Sequence, residues 1–242
     1  MSPRRLGEVF RQEFAHTLRR PLLWVLLLIL GLMAWMMSTG EASIESGNSA
    51  VGGSRAWITS EFALAQLLAM LVGIVYSFFV AVAAGMAVIR DDEQRIGELL
   101  HATPLTPAEY LWGKYAAVLA GFVTLLAANL ALVALFNHVV PHGENVETIG
   151  PFAWASYLRP ALLFALPSLV GMAGASFAIG TLTRRPILVF ALPVAAILLG
   201  MTLLWNWSPS WLAPAVNRLL VVLDPTGIRW LNETWLNVDR GV

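Results

Sequence analysis

Long uninterrupted apolar runs dominate the chain and predict membrane-spanning helices. A helix crosses the hydrocarbon core of a bilayer with about 20 apolar residues, and five runs approach or exceed that length: residues 21–37, 62–89, 113–136, 158–182 and 187–205. Backbone N–H and C=O groups in lipid need partners within the protein, and no alternating ten-residue strands occur, so these runs must be helices. The pattern predicts an all-α polytopic membrane protein with five transmembrane helices.

The segment ahead of the first run is amphipathic. Apolar residues recur there at helical spacing, with arginines on the other side; they include Leu6, Phe10, Phe14 and Leu18. This pattern is typical of an interfacial helix lying on the inner leaflet. Proline disfavours helix at the residue before it, so Arg20-Pro21 should end this helix. An ordinary basic flank that only sets topology is an equally good interpretation.

The polar stretches divide the chain into three parts. Residues 1–20 form the cytoplasmic amphipathic helix, and residues 21–205 form the five-span domain. Residues 212–223 are apolar but too short to span, which favours a re-entrant or interfacial helix. The turn sequence at residues 224–227 ends it. Residues 206–242 are therefore predicted to be an extracytoplasmic re-entrant segment and tail.

Charge placement gives the orientation of an otherwise apolar chain, which is 58% hydrophobic, 12% charged and has a mean hydropathy of +0.71. Ten basic residues flank one side of the predicted spans, and only Arg55 and Arg159 lie in the opposite loops. The ten are Arg4, Arg5, Arg11, Arg19, Arg20, Arg90, Arg95, Lys114, Arg184 and Arg185. This asymmetry predicts a cytoplasmic N-terminus. A cleaved secretory signal in place of the first span is disfavoured, because the apolar run is long and no A-x-A site follows.

Several classes of chemistry lack the residues that they need. The formal net charge is zero and cysteine is absent, so neither a nucleic-acid partner nor thiol chemistry is indicated. The spans contain no ionisable residue away from their ends, which argues against an intramembrane enzyme. His138 and His142 have no third ligand nearby, so no metal or cofactor is expected. Gly113-Lys114 is followed by Tyr115, so no P-loop is present and ATP-driven work would need a partner.

Two polar or small-residue features inside the runs suggest packing contacts. Asn129 is the deepest strongly polar side chain, and we expect a hydrogen bond to another helix or some other polar contact within the membrane. Gly171, Ala175, Ser176 and Gly180 form small-residue faces in the fourth run. Such faces favour close helix packing and are compatible with a dimer contact.

The loop at residues 90–114 concentrates charge between two apolar runs. It holds eight of the charged residues and the only lysine, although the whole chain has just 15 basic and 15 acidic residues. Asp91 and Asp92 are possible caps for a short amphipathic helix that ends near residue 101. Thr106, Pro107 and Glu109 form a capping box that predicts the start of the next helix. A loop with this charge should meet something in water.

The stretch RDDE…GELLHATPLTPAEYLWGK at residues 90–114 resembles the cytoplasmic segment of ABC-2 type exporter permeases. Two further stretches make the resemblance more specific. They are LFALPSL…IGTLTR in residues 163–184 and LDPTG…TWLNVDR in residues 223–240. Together the three are most similar to the permease part of bacterial proteins that join an ABC-2 membrane region to an M1-type aminopeptidase region. No peptidase residues are present in this chain.

The resemblance implies a non-enzymatic permease in a bacterial inner membrane, paired with a second permease copy in a homo- or heterodimer. A separate cytoplasmic ABC ATPase would supply the energy. Its coupling contacts would be Asp91, Asp92, Glu93, Gly97, Glu98, Leu99, Leu100 and Pro104. Residues 6–18 would form the interfacial connecting helix. A membrane anchor or assembly subunit without transport activity is the alternative, and co-purification of an ATPase separates the two.

One departure from the family pattern concerns the number of spans. Such permeases usually have six spans with both ends in the cytoplasm, whereas five are found here. We expect the chain to be a fragment of a longer protein, although an unusual five-span form is also compatible with the sequence.

Overall fold

A computed structural model describes residues 2–39, 45–46, 49–50, 57–93, 105–140, 149–205 and 211–235. Within these ranges the chain forms eight helices and one short strand pair. In order they are α1 (Pro3–Leu18), α2 (Pro21–Ser38), β1 (Glu45–Ser46), β2 (Ser49–Ala50), α3 (Glu61–Glu93), α4 (Pro107–His138), α5 (Trp154–Thr183), α6 (Pro186–Leu204), α7 (Pro214–Leu223) and α8 (Ile228–Trp235). The two strands pair in antiparallel fashion.

Four described helices are long and apolar enough to cross a membrane. These are α3, α4, α5 and α6, with 33, 32, 30 and 19 residues. Helices α1 and α2 together also pass this test as a pair bent by 56°. The structure therefore confirms the prediction of an all-α polytopic membrane protein, with four spans, or five when the bent pair is included.

The break between α1 and α2 lies where the sequence predicts it. Leu18 is the last residue of α1, and Pro21 is the first residue of α2. Proline suits this first position because its missing N–H would have no partner there. The indole Nε1 of Trp24 donates to the Leu18 carbonyl at 2.8 Å, which satisfies one of the unpaired carbonyls at the end of α1.

Three of the long helices contain a π-helical turn that the sequence did not indicate. The turns are Leu71–Tyr76 in α3, Ala161–Ala165 in α5 and Gly200–Leu204 in α6. The last is closed by the Trp205 N–H, which donates to the Gly200 carbonyl at 2.8 Å. Such turns leave the helix continuous while accommodating one extra residue.

The chain divides into two compact units, and the long helices contribute a segment to each. The first unit comprises Met1–Val25, Val75–Leu125 and Leu169–Ala196. Within it α3 and α5 touch backbone to backbone, because a Cβ on Gly180 would overlap the Gly85 carbonyl oxygen. Ser176 Oγ donates to the Ala81 carbonyl at 2.6 Å. Two of the predicted small residues thus serve packing within the chain, while a Cβ on Gly171 would meet nothing within 4 Å.

The second unit comprises Leu26–Ile74, Leu126–Ser168 and Ile197–Val242. Its core joins α3 to the end of α6 and to α8. The core residues are Ala65 and Ala69 of α3, Trp205 directly after α6, and Ile228 and Leu231 of α8. The predicted turn at residues 224–227 is present. Asp224 Oδ1 accepts from the Thr226 N–H at 3.0 Å, and Asp224 Oδ2 accepts from the Arg229 N–H at 2.8 Å. Gly227 has a φ of +70°, which glycine adopts without strain.

Three local expectations differ from the structure. The helix predicted at residues 212–223 begins at Pro214 instead, because a proline fits the first turn of a helix. Helix α8 follows the turn and was not predicted. Asp91 and Asp92 belong to the last turn of α3, and the short helix predicted after them lies outside the described residues. The division into three parts at residues 20 and 205 stays a prediction.

Candidate functional site

The only lysine of the chain is buried beside the charged loop. The Lys114 side chain has just 6% of its surface exposed, and its Nζ lies 2.7 Å from Asp91 Oδ2 and 3.2 Å from Glu13 Oε1. Its Nζ also donates to the Ala87 carbonyl at 3.0 Å. An ammonium group has three N–H donors, and three acceptors surround this one. The desolvation penalty of burying the charge is therefore offset by both charge and hydrogen bonding.

Tyr110 completes this group of residues. Its hydroxyl donates to Asp91 Oδ2, and its ring centroid lies 5.3 Å from Lys114 Nζ. We refer to Glu13, Asp91, Tyr110 and Lys114 as the Lys114 cluster. The cluster joins three helices, since Glu13 belongs to α1, Asp91 to the end of α3, and Tyr110 and Lys114 to the start of α4.

Two further arginines lie close to the Lys114 cluster. Burial lowers the pKa of Arg20, and the neighbouring charge of Arg90 lowers it further, while Glu13 and Asp91 act in the opposite direction. Arg90 Nε donates to the Met86 carbonyl at 3.2 Å. The two carboxylates of the cluster are therefore close to positive charge. For Asp91 this charge offsets an unfavourable position at the C-terminal end of α3, where the helix dipole disfavours an acidic side chain.

The predicted capping box forms at the start of α4. The Thr106 N–H donates to Glu109 Oε2 at 3.1 Å, and the Glu109 N–H donates to Thr106 Oγ1 at 3.3 Å. The Ser2 N–H donates to Glu109 Oε1. Glu109 thus caps its own helix and also holds the beginning of α1 beside it.

Helix α1 packs closely along the first turns of α4. A Cβ on Gly113 would lie 2.7 Å from Val9 Cγ1, and a Cβ on Gly121 would lie 2.7 Å from Thr17 Cγ2. Real Cβ atoms do not approach other atoms so closely, so glycine is needed at both positions in this arrangement. The contact through Val9, Glu13 and Thr17 fixes α1 against the helix that follows the charged loop.

Two acidic residues at the end of α3, Asp92 and Glu93, are exposed instead of buried in the Lys114 cluster. Asp92 Oδ1 accepts from Arg184 NH1 at 3.1 Å, and both side chains are about half exposed or more, at 48% and 65%. Glu93 is exposed at the end of α3. Such surface pairs contribute little to stability. Asp92 and Glu93 therefore remain available to a partner, whereas Asp91 is tied to Lys114 and Tyr110.

The other predicted coupling residues lie outside the described residues. They are Gly97, Glu98, Leu99, Leu100 and Pro104. The predicted residues of the interfacial helix are all in α1, where Leu6, Phe10, Phe14 and Leu18 are half-buried. The rings of Phe10 and Phe14 stack with centroids 5.6 Å apart.

Asn129 is buried in α4, with 1% of its surface exposed. Neither its Oδ1 nor its Nδ2 has a hydrogen-bond partner in the described part of the chain. The expected contact to another helix is thus not seen among those residues. Burying an amide without a hydrogen-bond partner costs free energy. Asn129 is therefore expected to lower the stability of the folded protein.

Among the described residues, no cluster of three or more His, Asp or Glu side chains could hold a metal ion. His138 Nε2 lies 2.8 Å from the Tyr157 hydroxyl, and His142 lies outside the described residues.

The sequence did not reveal the Lys114 cluster. Lys114 and Glu13 are 101 positions apart, so no local pattern connects them. The available signal was that the only lysine of the chain is the last residue of the charged loop. A lysine side chain that extends into water from this position would have been an equally reasonable interpretation.

A comparison with protein-family models matches residues 55–226 to the ABC-2 family transporter protein. Neither the curated proteins nor the solved structures gave a significant match. The matched region includes the charged loop, the capping box and all four of the long helices α3 to α6. The chain therefore belongs to the ABC-2 transporter family and is a multi-pass permease subunit of an ABC transporter.

Proposed function

We propose that this permease works in an ATP-driven exporter and that the loop at residues 90–114 contacts a separate cytoplasmic ABC ATPase. The N-terminus would lie in the cytoplasm of a bacterial cell, with the spans in the inner membrane. The positive-inside distribution of arginines supports this orientation, since it places the charged loop on the side where ATP is available.

The observation that carries the proposal is the Lys114 cluster, because its ion pair joins the two flanks of the loop. Asp91 lies just before the loop segment outside the described residues, and Lys114 lies after it, with Nζ and Oδ2 2.7 Å apart. Glu13 extends the same cluster to α1. A force applied to the loop would therefore reach α1, α3 and α4 together.

The structure suggests different roles for the acidic residues. We assign Asp92 and Glu93 to contacts with the ATPase because they are exposed. Gly97, Glu98, Leu99, Leu100 and Pro104 would follow on the loop itself. Asp91 instead serves to hold the flanks of the loop together, and its side chain is only 18% exposed.

We further propose that two permeases pair to form the transport path, as a homo- or heterodimer. The long helices differ in how much of their surface the chain itself covers. The most apolar window of α3 is 67% buried, whereas those of α5 and α6 are 28% and 17% buried. The exposed surfaces of α5 and α6 are available to lipid or to a second permease.

Co-purification of the ATPase tests this proposal. The full protein is isolated in mild detergent from cells that express it in its native genomic context, and ABC ATPase subunits are identified by mass spectrometry. Glu93→Lys should reduce the recovered ATPase several-fold and lower ATP hydrolysis by the complex. Glu8→Lys is the matched control, because Glu8 is also an exposed glutamate and is also predicted to be cytoplasmic.

The outcomes separate the proposal from its alternative. If no ATPase accompanies the unmodified protein, a membrane anchor or assembly subunit explains the chain better. If Glu93→Lys and Glu8→Lys behave alike, the assignment of the loop as the ATPase contact is wrong.

A further inference from the structure

Helix α1 has three sides with different properties. One side packs on α4, through Val9 against Gly113 and Thr17 against Gly121. Glu13 lies on the same side and is engaged by Lys114. This side is therefore already occupied, and only the other two are available to anything outside the chain.

The second side is an apolar stripe that the described chain covers only in part. Phe10, Phe14 and Leu18 are four residues apart and so follow one another along the helix surface. All three are half-buried, and the two phenylalanine rings stack on each other. We call these three residues the phenylalanine stripe.

The third side is basic and borders the phenylalanine stripe. Positions 4, 11 and 18 are seven residues apart, which corresponds to nearly two full turns. Arg4 and Arg11 therefore lie almost in line with Leu18 at the edge of the stripe. Arg4, Arg11 and Arg19 are all exposed, and the Arg11 side chain is 77% exposed.

The charge on this exposed side is strongly positive. The acidic residue on this side is Glu8, whose Oε2 lies 3.0 Å from Arg11 NH2. The other glutamate of α1 is Glu13, whose carboxylate faces Lys114 on the opposite side of the helix. A surface with several arginines, one glutamate and a bordering row of apolar side chains matches an anionic interface better than a neutral one.

The phenylalanine stripe ends at Leu18, whose carbonyl accepts from the Trp24 indole N–H of α2 at 2.8 Å. In the first turns of α2, Leu22, Trp24 and Val25 are 45%, 60% and 53% exposed. Because α2 is an apolar helix that enters the membrane and Trp24 contacts the last residue of the stripe, whatever covers the stripe must also meet Trp24. A bilayer does so without interruption, whereas a protein docking from the cytoplasm would have to reach into the lipid. The occupant that fits is therefore the membrane surface.

We propose that α1 binds anionic phospholipids of the inner leaflet. The phenylalanine stripe enters between the headgroups, and Arg4, Arg11 and Arg19 bind the phosphate and other anionic oxygens of those headgroups. Guanidinium groups suit this task because they are always charged and form paired hydrogen bonds with phosphate oxygens. This inference rests on the proposed cytoplasmic N-terminus but not on ATP-driven export, since it concerns the bilayer alone.

Competition between two lipids tests the proposal. The full protein is reconstituted into nanodiscs that contain equal amounts of phosphatidylglycerol and phosphatidylcholine, then released, and the lipids that it retains are measured by native mass spectrometry. We expect the unmodified protein to retain phosphatidylglycerol preferentially. Arg4→Gln combined with Arg11→Gln should reduce this preference by roughly 25-fold, because each arginine near an anionic surface contributes a factor of about five.

The matched control removes two arginines elsewhere. Arg185→Gln combined with Arg218→Gln takes away the same charge from two exposed positions and should leave most of the preference intact. A second variant, Phe14→Asn, should reduce retention of both lipids alike, because it removes an apolar contact and no charge. Phe14→Asn leaves the net charge of the protein unchanged, so its effect on lipid retention cannot come from charge.

Two results would overturn the proposal. One is an unchanged phosphatidylglycerol preference after Arg4→Gln with Arg11→Gln; if a co-purified ATPase is lost at the same time, the basic side of α1 contacts that partner instead. The other is an equal loss in the Arg185→Gln with Arg218→Gln control, which would show a general effect of charge.

Discussion

Lys114 and Asp91 form a buried ion pair across the base of the charged loop, with Nζ and Oδ2 2.7 Å apart. Replacing Lys114 with methionine would leave Asp91 and Glu13 facing each other without a cation between them. Breaking one side of a buried pair typically costs about 3 kcal/mol of unfolding free energy. We expect a loss of that order, measured by chemical unfolding in detergent micelles.

The matched control for this change is Arg185→Met, which removes an exposed cation in the same unit and should change stability by less than about 0.5 kcal/mol. The double variant Lys114→Met with Asp91→Asn should be less destabilised than the two single changes summed. Strict additivity would show that the two side chains do not interact.

The crossing of α3 and α5 offers a comparison of two glycines on one helix. A Cβ on Gly180 would overlap the Gly85 carbonyl oxygen, whereas a Cβ on Gly171 would meet nothing within 4 Å. Gly180→Ala should therefore destabilise the protein by about 1–3 kcal/mol. Gly171→Ala should be neutral or slightly stabilising, because alanine favours the helix. Thermal unfolding of the two variants side by side would contradict the close crossing if they behaved alike.

Asn129 gives a prediction of increased stability. Its amide is buried and has no hydrogen-bond partner in the part of the chain that the structure describes. Leucine has a similar size and no polar atoms, so Asn129→Leu should raise the unfolding free energy by about 1–3 kcal/mol. Asn129→Ala should gain less, because it leaves a cavity. A fall in stability on Asn129→Leu would mean that the amide does bind a polar group in the folded protein.

The turn before α8 depends on one carboxylate. Asp224 is buried and accepts from the Thr226 N–H and hydroxyl and from the Arg229 N–H. Asp224→Ala would leave these donors without a partner, at a cost of about 2 kcal/mol. Hydrogen exchange should become faster at the amides of α8 in particular. Asp224→Asn retains an acceptor oxygen and should show a smaller effect, and equal effects of the two variants would argue against this role.

Local signals in the sequence were sufficient for the helices and several of their ends. The apolar runs predicted the spans because each helix must satisfy its backbone within lipid. Thr106 and Glu109 predicted the capping box, and Arg20-Pro21 predicted the break after α1, because both depend on neighbouring residues. Helix α8 was missed because Arg229, Asn232 and Glu233 interrupt any long apolar run there.

The contacts that connect distant segments could not be obtained in this way. The burial of Lys114 depends on Glu13, a residue on another helix, and an isolated lysine near the end of a span has no such partner in the sequence pattern. The same applies to Gly85 and Gly180, because nothing in the sequence around either glycine indicates that it packs against the other. Tertiary packing decides such contacts, and a single sequence does not record it.

The docking of α1 onto α4 also has a consequence for how the protein is made. The α1 residues leave the ribosome before those of α4, and Glu13 needs Lys114, which lies 101 positions later. At a synthesis rate of about 5–20 residues per second, α1 waits roughly 5–20 s before that side of it can be covered. During this interval Glu13 and its side of α1 lack their partners on α4, and adhesion to the membrane surface would keep α1 in place until that helix has been inserted.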